Sequence, residues 1–146
     1  MEWLYLGFNR SEEWDGDMLV PLWALGDRLG CPLVQDDVMC DLIKYHNSYH
    51  LSVDTLALVY ELSAPESITR RFVIDQCLFD IRHVCPKMPD VECAYLQFVK
   101  DNEDFAQELG EATILLGNEK AKDPFRNKIL YLCALSPCTP KPSPGS

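Results

Sequence analysis

The sequence predicts an all-α protein, a helical bundle of about five to six helices with a disordered C-terminal tail, and three observations carry that reading. Apolar residues recur at three-to-four spacing through most of the chain, the period of a helix with one buried face. Prolines, glycines and serines fall where these runs begin or end, at positions suited to helix caps and first turns. One run, "SITRRFVIDQCLFDIRHVC", is apolar on most sides, which marks a central, buried helix. The composition, 47% hydrophobic and 25% charged, is that of an ordinary globular chain.

The elements follow in order. "MEWLYLG" reads as the last turn of a helix, stopped at Gly7. After the acidic loop "NRSEEWDGD", Leu19, Leu22, Trp23, Gly26 and Leu29 predict a helix from about Met18 to Leu29, with Pro21 in its first turn. Gly30 ends it and Pro32 opens the next, where Val34, Val38, Leu42, Tyr45 and Tyr49 form one stripe. These two helices should be antiparallel across a tight "GCP" corner, with Trp23 facing Leu42. Ser52 caps a third helix running to about Leu62, and Leu51 is placed to staple onto Leu56. The central helix follows "APES" and exposes little beyond polar punctuation among Ile68, Phe72, Val73, Ile74, Cys77, Leu78, Phe79 and Ile81. Pro86 to Asp90 reads as a connection. Further helix comes from "VECAYLQFVKDNEDFAQELGEATILLG", with Phe105, Leu109, Ala112 and Leu116 on one face. Its opposite face, Asp101, Asp104, Glu108 and Glu111, reads as a solvated acidic surface. Asp123 and Pro124 break the pattern, "FRNKILYLCAL" adds a last short helix or strand, and "SPCTPKPSPGS" is too poor in apolar residues to order.

Charge and motif content narrow the function. A net charge of −10 repels a phosphate backbone and anionic membranes, so neither nucleic acid nor a membrane is an expected partner. No apolar run approaches a spanning helix and the first residues lack a signal peptide, which places the chain in the cytoplasm or nucleus. The seven cysteines are odd in number and lack a Cys-x-x-Cys pair, so free thiols are expected. Cys31, Cys40, Cys77 and Cys133 lie in apolar stretches and read as small buried hydrophobes. No phosphate loop, nucleophile elbow or zinc-protease motif is present, and the chain reads as non-enzymatic, with no cofactor. A metal site is the lesser alternative: His46 and His50 are four apart and on a helix would share a face, with Cys40 upstream, but Asn47 and Tyr49 suggest that the helix ends there and a fourth ligand is not evident.

The order of "EWLYLG", an acidic loop, "LVPLWALGDRLGCPLVQDDVMCDLI", "LSVDTLALVYELSAPESITRRFVIDQC" and "KDPF" resembles the BTB/POZ proteins abundant in filamentous fungi, over about residues 2 to 125. The resemblance implies that residues 1–49 form a partial BTB/POZ-like segment, in which Leu22 to Gln35 supply the last two helices. Residues 50–135, with Val59, Tyr60, Arg70, Arg71, Asp75 and Gln76, correspond to the helical extension, and 136–146 to the tail. It further implies a protein-protein interaction role, by self-association or as an adaptor to a cullin-type ubiquitin ligase scaffold. The sheet and first helical hairpin of such a domain have no counterpart before Glu2, so the chain reads as a half-domain: a natural short form, a misplaced start or a non-functional gene fragment. Trp3, Leu4, Leu6 and some of Leu19, Leu22 and Trp23 should then lack their usual cover and form an exposed apolar, partner-binding patch.

Overall fold

A computed structural model describes residues 15–132 except 118 and 122. Among the described residues there are six α-helices and no strand: α1 (Gly16–Arg28), α2 (Pro32–Ser48), α3 (Val53–Leu62), α4 (Ile68–His83), α5 (Pro89–Asp101) and α6 (Glu103–Leu116), then a 3₁₀ turn at Lys128–Tyr131. The fold is all-α, as the periodicity requires. The predicted "EWLYLG" helix end and the proline-rich tail lie outside the described residues.

Caps fix the boundaries. Asp15 precedes α1 and its carboxylate accepts the Met18 N–H at 3.2 Å. The helix therefore starts two residues earlier than expected, and Pro21 sits inside it rather than in its first turn. Proline there removes one helical hydrogen bond, tolerable because Pro21 faces solvent and water can take the freed carbonyl. Gly30, at φ +66°, turns the corner in the left-handed region, and Pro32 opens α2. Ser52 and Ser67 cap α3 and α4 through the N–H groups of Thr55 and Arg70. Asn102 divides the run expected as continuous helix: its N–H closes α5 onto Phe98 O, while its side chain accepts the Phe105 N–H at 2.9 Å and opens α6.

Packing joins α1 to α2 and α3, α4 to α3 and α6, and α5 to α3 and α6. Glycine allows the first of these to be close. A Cβ at Gly26 would lie 3.0 Å from Val34 Cγ1 and 3.1 Å from Gln35 Cγ. In α2 the buried face is Gln35, Val38, Met39, Leu42, Ile43 and His46, so the predicted stripe holds at Val38 and Leu42 but not at Tyr49, which is exposed beyond the helix end. Leu51 and Leu56 are both fully buried. The central helix is α4, which buries Phe72, Val73, Ile74, Cys77 and Leu78. One aromatic group, Tyr60, Phe98 and Phe105, locks α3, α5 and α6 together, with centroids 5.0–6.4 Å apart and edge-to-face geometry. Tyr131 on the 3₁₀ turn packs its ring edge-on against Phe72 and donates to Asp75 Oδ2 at 2.7 Å. The buried cluster runs unbroken from Leu19 to Tyr131.

Candidate functional site

The first helix is apolar nearly all round. Leu19, Val20, Leu22, Trp23 and Ala24 point inward, and Trp23 retains only 3% of its surface. This corrects the expectation that Leu19, Leu22 and Trp23 form an exposed patch: α2 and α3 cover them. Trp3, Leu4 and Leu6 lie outside the described residues. An apolar face is nevertheless exposed on the other side of the same helix, where Met18, Pro21, Leu25 and Leu29 stand at i, i+3, i+7 and i+11. Leu29 is 66% exposed, and Leu33 in the first turn of α2 continues the stripe. With a rise of about 1.5 Å per residue, Met18 to Leu29 spans about 16 Å. Asp17 marks its beginning and Arg28 its end, each favourable toward the helix dipole. The sequence already contained this face; inward and outward leucines cannot be separated by periodicity when both sides of a helix are apolar.

Behind the stripe lies a polar junction of α1, α2 and α3. Thr55 Oγ1 donates to Asp17 Oδ1 at 2.8 Å and lies 3.0 Å from Ser52 Oγ. A Cβ on Gly16 would stand 2.8 Å from Thr55 Oγ1 and 3.2 Å from His46 Nε2, so only glycine fits there without displacing a stiff, bonded threonine. His46 is buried, with Nδ1 held 3.1 Å from the Tyr49 carbonyl and Nε2 without a hydrogen-bond partner. Burial pushes its pKa down to about 4, against the opposing pull of the Tyr49 carbonyl. As Asn47 and Tyr49 suggested, α2 ends at Ser48, so His50 leaves the helix and shares no helical face with His46. Among the described residues no three His, Cys, Asp or Glu side chains are grouped to hold a metal ion.

The cysteines divide by position. Cys77 and Cys85 are buried, and burial raises both thiols above their usual range, which keeps them protonated and inert. Cys31 is half-buried at the α1–α2 corner and Cys40 is exposed on the outer side of α2, which corrects their expected burial. Cys133 lies outside the described residues.

Two polar networks were not anticipated as such. In the first, Asp80 on α4 is buried and accepts from the Leu51 N–H, Gln76 Nε2 and Tyr95 Oη, each at 3.0 Å. Burial raises the Asp80 carboxyl above its usual range, and the three donors oppose that shift. Tyr95 Oη is also 2.6 Å from the Leu51 carbonyl. The network thus ties the residue before the α3 cap to α4 and α5. Its only trace in the sequence is the polar pair Gln76 and Asp80, four apart in an otherwise apolar run.

In the second, Arg70 is buried in the first turn of α4. Its Nη2 donates to the Tyr60 and Ser63 carbonyls at 3.2 and 3.0 Å, satisfying the C-terminal end of α3. Nη1 reaches Glu108 Oε2 on α6 at 3.1 Å, and the guanidinium stacks 4.4 Å over the Tyr60 ring. Tyr60 Oη donates to the other Glu108 oxygen at 2.7 Å. Glu108, expected on the solvated acidic face, therefore turns inward. Beside it, a cleft of about 750 Å³ opens between the N-terminal end of α4 and α6.

No family model matches the chain, and neither a curated protein nor a solved structure does. Among the described residues no helix is long and apolar enough to cross a membrane.

Proposed function

We propose that this chain is a non-enzymatic, intracellular protein-interaction module of BTB/POZ-like character, and that the outer face of α1 is its docking surface. The observation that carries the reading is the stripe of Met18, Pro21, Leu25 and Leu29, left in solvent by a helix whose other side is fully packed. Large contiguous apolar faces are uncommon on soluble monomers. The occupant that fits is a second copy of α1, running antiparallel. In that register Met18 meets Leu29, Pro21 meets Leu25, and Asp17 of each copy approaches Arg28 of the other. Charge and apolar pattern are both self-complementary, as a two-fold interface requires. A stripe about 16 Å long buries less than the roughly 800 Å² per partner of a stable dimer, so the association is weak and rises with concentration. Light scattering after gel filtration across a wide concentration range should show a monomer–dimer shift that Leu25→Glu abolishes. A wild-type chain that stays monomeric throughout would contradict the proposal.

A further inference from the structure

We infer that the cleft between α4 and α6 is a second docking site, for a basic amphipathic segment of another protein whose apolar side rests on Ala112 and Leu115 while its lysines or arginines face Glu66, Asp104 and Glu111.

Shape, charge and apolar surface carry this together. The cleft is open to solvent and holds about 750 Å³, room for a row of side chains rather than a closed chamber for a small molecule. Its walls carry five carboxylates, of which Glu108 is held by Arg70 and Tyr60 and Asp75 by Tyr131, leaving Glu66, Asp104 and Glu111 to face a partner. Of its two guanidinium groups Arg70 is committed to Glu108, with Asp104 at 3.9 Å, so these three carboxylates stand mainly against Arg71. A cationic partner is favoured, and the net charge of −10 steers it in. The apolar side is equally exposed: α6 fully buries only Phe105, and in its last turns Ile114 and Leu115 are 79% and 86% exposed. A third helix laid along α6 would cover Leu115 and bring its own charged flank to the carboxylates, the ordinary way an amphipathic helix fills a groove. The site is separate from the outer face of α1 and does not depend on the proposal made for it.

Glu66 makes the test clean. It holds φ +65°, a left-handed backbone that glycine adopts without strain, so Glu66→Gly removes a carboxylate while favouring the native turn. The probe is a synthetic helical peptide with leucines along one face and lysines along the other, followed by fluorescence anisotropy with the full chain. Two controls are a scrambled peptide of the same composition and a version with lysine replaced by glutamate. The parent peptide should bind, and the glutamate version should not. The variants Glu66→Gly with Glu111→Gln, and separately Leu115→Ser, should each weaken binding at least tenfold, whereas Glu92→Gln, which removes an exposed carboxylate of α5 outside the cleft, should leave it unchanged. Equal binding by the scrambled peptide would reduce the effect to net charge and overturn the inference. So would wild-type affinity in the cleft variants, or no binding of the parent peptide.

Discussion

His46 has been placed where only its neutral form fits. Its folded pKa is about 4 against an ordinary 6.5, so between those values the unfolded chain binds a proton that the folded chain does not. Stability is therefore full above about pH 6.5 and falls as the pH drops toward about 4, by up to roughly 3 kcal/mol. Asp80 acts in the opposite sense, because its raised folded pKa stabilises the protonated form and its contribution declines as pH rises. Urea titrations of His46→Gln should show a flatter pH profile than wild type in that window. An unchanged profile would place the titrating group elsewhere. Trp23 supplies the second residue-scale expectation: at 3% exposure, Trp23→Ala should cost about 3–5 kcal/mol, read as a lowered denaturation midpoint. A midpoint equal to wild type would mean that the side chain is not in the core.

At the scale of elements, Arg70 does what no apolar residue in α4 could. It closes the C-terminal end of α3, stacks on Tyr60 and reaches Glu108 on α6, so three helices share one guanidinium. Arg70→Met should destabilise by about 2–4 kcal/mol, since it orphans two helix-end carbonyls and leaves Glu108 without its cation. Arg70→Lys should recover little, because an ammonium cannot fork across α3 and α6 at once. Thermal denaturation of the two variants checks this, and a lysine variant as stable as wild type would contradict it. The sequence was readable here in part. The Ser52 cap and the end of α3 at Leu62 were legible, because serine caps and apolar periodicity are local signals. The break at Asn102 was not, because α5 and α6 meet with no glycine or proline between them and one asparagine serves as both caps. Nor was the inward turn of Glu108, whose partners lie 38 and 48 residues away.

At the scale of the molecule, one continuous core from Leu19 to Tyr131 coexists, among the described residues, with exposed apolar surface on α1 and at the far end of α6. The apolar residues that α1 exposes, Met18, Leu25 and Leu29, are not the Leu19, Leu22 and Trp23 expected from the sequence. Leucines at 19 and 22 face inward and those at 25 and 29 face out, a choice made by where α2 and α3 pack rather than by the helix itself. That is why the element could be read from the sequence and the site could not.

If the outer face of α1 meets a second copy of itself, a dilution series followed by amide and methyl chemical shifts will map the contact residue by residue. Concentration-dependent shifts are expected at Met18, Leu25 and Leu29, with Leu33 affected at the edge and the α4–α6 cleft silent. Shifts that stay fixed at every concentration, or that move around Leu115 while α1 stays fixed, would contradict it.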